Sequence, residues 1–153
     1  MKDVKDIEFA MEMEEVIDRS SLQPERLNAK LDLKMKDCSK DDKFAEFIFD
    51  VKEWCRNPYG GVHGGIISAV FDTTMGMGAV GMTKQFVTTT DISVSFLRAM
   101  NGDRYIFRID YTQVGKRLVR CMGKAIDAET GEVAATAMAS FMTMDSKPKG
   151  IQV

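Results

Sequence analysis

Hydrophobic positions recur along this chain with two different periods, and the switches between them lay out the elements. From Ile7 to Arg19, Phe9, Met13, Val16 and Ile17 fall three or four residues apart among charged side chains. That spacing predicts an amphipathic helix over about 6–20, stopped soon after by Pro24. Leu31, Leu33 and Met35 then alternate with Asp32, Lys34 and Lys36, and Phe47, Phe49 and Val51 alternate in turn. Two half-buried strands are expected there, either side of a polar turn at 39–43, the second ending before Asn57-Pro58.

The pattern changes at 66–80, where nearly every residue is apolar or small. A helix in that segment is hydrophobic all round and is expected to be buried. Gly76, Gly78 and Gly81 each weaken it by about 1 kcal/mol relative to Ala, a cost that close approach of surrounding strands would offset. Four strand-like runs complete the chain. Ile92, Val94 and Phe96 share one face of 87–100. Tyr105, Phe107, Ile109 and Tyr111 form an inward row, as do Val119, Cys121, Gly123 and Ala125, and then Val133, Ala135, Ala137, Ala139 and Phe141. Asn101-Gly102, Gly115-Lys116 and 129–131 lie between these runs, where hairpin turns would pair sequence neighbours antiparallel. The order of one helix, two strands, a buried helix and four strands predicts an α+β fold in a single domain over 1–153. A loose tail is expected over about 146–153.

Composition narrows the function classes. With 21 basic and 23 acidic residues the net charge of -2 lacks the basic excess of a nucleic-acid binder, so no nucleic-acid partner is expected. At 44% hydrophobic and 29% charged, the 153 residues suit a soluble globular domain with its own core. One histidine, His63, and three scattered cysteines, Cys38, Cys55 and Cys121, leave little material for a metal site. Their odd number and the absence of a CxxC pair fit reduced thiols in the cytoplasm. The charged N-terminus carries no secretory leader pattern, and no run approaches 18 apolar residues, so no membrane partner is expected.

Two glycine patterns invite a nucleotide-binding reading and fail on context. Gly60 to Gly65 has the G-x-x-x-x-G spacing but is followed by Ile66-Ile67, not by Lys and a hydroxyl residue. Gly76 to Gly81 spells G-x-G-x-x-G at the far end of the helical run, where the fingerprint must follow a strand and open a helix. The segment from Asn57 through Gly60, His63, Gly64 and Gly65 to Asp72 holds up better. His63 and Gly64 would stand where a loop becomes the buried helix, whose first free N–H groups carry the positive end of the dipole. Such an end can stabilise an oxyanion on a carbonyl, and glycines let the substrate approach the backbone. Asp72, set in the apolar run, must be paired, protonated or functional. The plainer readings are a capping or packing His63, a turn-forming Asn57, and an Asp72 bonded to Thr73, Thr74 or a backbone amide.

Asp72 follows Gly64 by eight residues, about 12 Å along a helix axis. One helix therefore cannot place both groups around one carbonyl. Two antiparallel copies related by a two-fold axis can, so if both groups act, a homodimer with two shared sites is expected.

The spaced set Asn57, Gly60, His63, Gly64, Gly65 and Asp72 resembles the motif of the hotdog-fold acyl-CoA thioesterases of the phenylacetate-pathway (PaaI-like) type. The stretch 114–142 is similar to that family's last two strands. The resemblance covers about 31–144. It implies a hotdog fold, an antiparallel sheet wrapped around a long central helix, here with an extra N-terminal helix. It also implies hydrolysis of an acyl-CoA to free acid and CoA with no separate cofactor, CoA being part of the substrate. Gly64 N–H would polarise the thioester carbonyl, and Asp72 of the partner chain would act as nucleophile or general base. Asn57 would place water or carbonyl, and His63 would support the loop or orient the thioester. The family's further hydroxyl corresponds to Thr89 or Thr90. Lys116, Arg117 and Arg120 are candidates for the CoA phosphates. Met75, Met77 and Met82 could line an acyl pocket or simply fill the core. Assembly as a homodimer, pairing again into a tetramer, is expected. The competing readings are a non-catalytic acyl-CoA-binding dimer and a hydratase or dehydratase on the same fold.

Overall fold

The inward rows become one side of a single sheet. Tyr105, Phe107 and Ile109, together with Val119, Ala125, Ala135 and Phe141, are each at most 2% exposed, while their alternate neighbours face outward. The computed structural model describes residues 3–150. Along it run α1 (Ile7–Ser20), α2 (Leu27–Leu31), β1 (Lys34–Ser39), β2 (Phe44–Asp50), a 3-10 turn (Glu53–Cys55), α3 (Gly64–Thr83), β3 (Val87–Phe96), β4 (Arg104–Val114), β5 (Leu118–Asp127) and β6 (Val133–Thr143). The strands form one sheet in the order β1-β2-β4-β5-β6-β3. Every adjacent pair is antiparallel. The sheet curves around α3, which is the hotdog arrangement. Of the expected tail, 151–153 lie outside the described residues.

α3 is longer than its apolar run and continues unbroken through its glycines to Thr83. By length and composition it could cross a membrane. Here it is the core helix, in contact with β2, β3, β4, β5 and β6. Phe71 on α3 meets Phe107 on β4 edge to face at 4.8 Å between ring centres. The glycines allow this depth. A Cβ on Gly78 would overlap the hydroxyl of Tyr111, which donates to the Met75 carbonyl at 2.9 Å. A Cβ on Gly81 would overlap Met13 Sδ of α1. Met75, Met77 and Met82 are all buried, so they are core residues of this protomer.

Asp6 caps α1, its carboxylate accepting from Phe9 N at 3.0 Å and from Lys40 N at 3.1 Å. α1 lies against β1 and α3, and Lys84 at the end of α3 pairs with Glu12. The contact with Gly81 lies 17 residues, about 25 Å, from the first residue of α3. α1 thus covers the far end of the central helix.

Three expectations need correction. Leu31 does not open a strand: 27–31 form a short helix, Asp32 turns the chain at φ 50°, and β1 starts at Lys34. Leu31 and Leu33 are buried all the same, so the alternation reported burial and not strand geometry. β3 ends at Phe96, short of Met100. Asn101-Gly102 makes no hairpin, because β3 pairs with β6 at the sheet edge while β4 lies between β2 and β5. The link from Leu97 to Asp103 instead crosses the sheet end. It is held by Leu97 N to the Ala134 carbonyl and by Val62 N to the Met100 carbonyl, both 2.9 Å.

Candidate active site

A short loop sets the start of α3. Asn57 N donates to the Gly61 carbonyl at 2.7 Å, Gly60 N returns to the Asn57 carbonyl at 3.0 Å, and Gly60 takes the left-handed φ of 90° that such a turn requires. The Asn57 side-chain oxygen accepts from Tyr59 N at 2.9 Å, which leaves its NH2 as the free donor. His63 N is held by the Cys55 carbonyl at 2.8 Å.

His63 is the N-cap. Its Nδ1 accepts from Gly65 N at 2.9 Å, so the neutral ring carries its proton on Nε2, and its carbonyl accepts from Ile66 and Ile67. Of the first helical N–H groups, Gly64 alone meets no acceptor among the described residues. Gly64 and Asn57 both line a cleft of about 350 Å³, whose other walls include Ile67, Phe96, Leu97 and Met100. An open N–H at the positive end of a 20-residue helix, beside a carboxamide donor, suits a polarised carbonyl oxygen.

Asp72 lies two turns further on and is half-buried. It does not bond Thr74, whose hydroxyl is taken by the Val70 and Phe71 carbonyls. The Thr89 hydroxyl on β3 donates to Asp72 Oδ1 at 2.6 Å, a short charge-assisted bond. Thr90 is excluded as that partner: a bulge between Thr89 and Asp91 directs its hydroxyl to the Ser140 carbonyl at 3.0 Å. Since α3 is continuous, Gly64 and Asp72 of one chain stand about 12 Å apart. The fold brings Asp72 to Thr89 and Gly64 to Asn57 and His63, as two separate halves.

Lys116 and Arg117 are exposed at the β4–β5 turn, where their carbonyls accept from Thr143. The register Thr88–Met142–Leu118 puts this turn two strands from Thr89, about 10 Å away. Arg120 lies between the buried Val119 and Cys121 and so projects from the outer face, opposite the one carrying Thr89. The cysteines are all buried, and burial pushes the thiols of Cys38 and Cys121 up to about 12, which leaves no nucleophilic thiolate among these two. Sequence reading missed Leu97 as a cleft wall and placed Phe96 only on one face of a strand with Ile92 and Val94.

Comparison with known proteins agrees with this fold. Residues 59–134 match the thioesterase superfamily. A thioesterase family protein from Silicibacter pomeroyi has a TM-score of 0.76 at 24% identity, covering 89% of this chain and 98% of its own. A phenylacetic acid degradation-related protein from Ralstonia eutropha JMP134 has a TM-score of 0.71 at 20% identity, covering 84% and 99%. A thioesterase from Haemophilus influenzae has 0.73 at 13% identity, covering 88% and 94%. No curated protein matches the chain in sequence.

Proposed function

We propose that this chain, a hotdog-fold protein whose residues 59–134 match the thioesterase superfamily, is an acyl-CoA thioesterase acting as a homodimer. The observation that carries this reading is one helix bearing both an open N–H, at Gly64, and a carboxylate held by a hydroxyl, at Asp72. Neither half completes a site alone. Pairing two copies through a two-fold axis sets each Gly64 against the partner's Asp72. Two surfaces support that pairing. β3 is a sheet edge with β6 as its one neighbour, and α3 leaves Gly65, Ser68, Ala69, Asp72, Thr73 and Gly76 less than fully covered.

In the mechanism, Gly64 N–H donates to the thioester carbonyl and stabilises the oxyanion as it forms. The Asn57 NH2 adds a second donor at that cleft. As general base, the partner's Asp72 takes a proton from water while the water oxygen adds to the carbonyl carbon. Collapse of the tetrahedral adduct breaks the C–S bond, CoA leaves as thiolate, and the proton passes to it. As nucleophile, the same carboxylate adds directly, and water then hydrolyses the acyl anhydride. A single turnover in ¹⁸O-water tests the direct route: water adding at the Asp72 carbonyl of the anhydride leaves label in Asp72, which the general-base route never does. Lys116 and Arg117, which make no ion pair among the described residues and lie on the same end of the sheet as Thr89, would meet CoA phosphates; Arg120 would not from this face.

Thiol release from acyl-CoAs ranging from acetyl and phenylacetyl to long-chain esters tests the reading. Thr89→Val should lower kcat about tenfold with little change in KM, since it removes a bond to the carboxylate and not to the substrate. Tight binding of the esters without release would favour a binding dimer instead, and hydration of an enoyl-CoA would favour a hydratase.

A further inference from the structure

This inference rests on the thioesterase reading and concerns where the acyl group lies. The helix–sheet layer is closed to it. A methyl group on Gly123 of β5 would stand 2.9 Å from Phe71, Met75 and Ile109 at once, and Tyr111 fills the space against Gly78. Where a single methyl has no room, an acyl chain has none either. The space next to the open Gly64 N–H is of another kind. Phe96 and Leu97 are large apolar side chains left 54% and 56% exposed. The Phe96 ring lies against Gly64 itself, 3.4 Å from where a Cβ would be. Ile67 and Met100, both buried, back the cleft.

A carbonyl whose oxygen accepts from Gly64 N–H has its acyl carbons one and two bonds away from that contact. The apolar surface within that reach is the Phe96 ring, with Leu97 next to it. The two polar donors of the cleft, Gly64 N–H and Asn57 NH2, sit beside this wall, and the one charged residue of its lining, Arg98, has its guanidinium paired with Glu132 at 3.1 Å. We infer that Phe96 and Leu97 form the acyl-binding wall of the site and set its specificity. The substrate class is an apolar acyl group small enough for a cleft of about 350 Å³, lying at the surface and not in a buried tunnel. Chains longer than the cleft gain no further burial.

The experiment compares kcat/KM for acetyl-, butanoyl-, hexanoyl-, octanoyl-, phenylacetyl- and palmitoyl-CoA in the wild type, Phe96→Ala, Phe96→Leu and Leu97→Ala. Oligomeric state is read for each by size-exclusion chromatography with light scattering. In the wild type, kcat/KM should rise from acetyl to hexanoyl and level off by octanoyl. In Phe96→Ala the hexanoyl-to-acetyl ratio should fall at least tenfold, the scale of a lost apolar pocket contact. Phe96→Leu should restore most of the ratio, and Leu97→Ala should lower it severalfold. An unchanged ratio in a wild-type-like assembly overturns the inference, as does a wild-type preference that keeps climbing to palmitoyl. Dissociation of Phe96→Ala into monomers also overturns it, assigning the ring to subunit contact instead. Absence of release by the wild type from every ester is a different result: it sinks the thioesterase reading itself.

Discussion

Replacing Asp72 by Asn is expected to lower acyl-CoA hydrolysis by at least about 100-fold in kcat while the protein keeps its fold and its oligomeric state. The substitution is nearly isosteric, and the carboxamide oxygen can still accept the Thr89 hydroxyl that now reaches Oδ1 at 2.6 Å. Asp72 is half-buried and pairs with no cation among the described residues, so removing its charge breaks no ion pair. The loss is therefore one of chemistry: an amide neither takes a proton from water at neutral pH nor forms an acyl anhydride. Initial rates of thiol release, with binding of a non-hydrolysable acyl-CoA analogue measured alongside, make the check. Equal rates in the two proteins would remove Asp72 from the reaction, and a loss confined to binding would make it a recognition group.

Gly78→Ala is expected to destabilise the protein by about 3 kcal/mol, a fall of roughly 6–12 °C in Tm. On an exposed helix the same change would stabilise by nearly 1 kcal/mol, so propensity and packing point in opposite directions here. Packing wins because the new methyl would overlap the Tyr111 hydroxyl and stand 2.6 Å from Cζ and 3.0 Å from Cε2. The ring cannot swing aside: Tyr111 is 3% exposed and its hydroxyl is fixed on the Met75 carbonyl. Adding Tyr111→Phe should recover part of the loss, since it removes the oxygen and keeps the ring carbon. Thermal unfolding of the single and double variants reads both effects. A Gly78→Ala protein as stable as the wild type would show that close approach to β4 is not what this glycine serves.

Much of this architecture could be read from the chain, and the failures share a cause. The helical period located α1 and the alternating period the strands from β2 onward, because burial on one side imposes spacing on the sequence wherever an element meets the core, while the uniformly apolar run at 66–80 marked α3. The set from Asn57 to Asp72 could be read for a similar reason: glycines and a carboxylate are poor choices for an apolar helix unless something requires them. Local chemistry said little about pairing. Asn101-Gly102 has the residues of a hairpin turn, but which strands lie side by side depends on contacts far apart in sequence, and β3 went to the opposite edge. Asp32 at φ 50° ended a helix that Leu31, Leu33 and Met35 had disguised as strand. The outer-face position of Arg120 was legible, since it lies between Val119 and Cys121 of an inward row. Phe96 and Leu97 gave no usable signal, because a sequence does not show which apolar side chains remain uncovered.

The continuity of α3 from Gly64 to Asp72 also limits how this protein can change over generations. Each added residue in a helix turns everything beyond it by about 100° and advances it by 1.5 Å. One codon inserted between these two positions would swing the carboxylate away from Thr89, and a deletion would do the same in the other direction. Point substitutions at Ile66, Ser68 or Ala69 carry no such penalty on their own. Across this segment, then, the side chains are open to gradual exploration while the reading of its length is closed. Divergence there proceeds by exchange of residues, and growth or shrinkage of the gene is left to the loops.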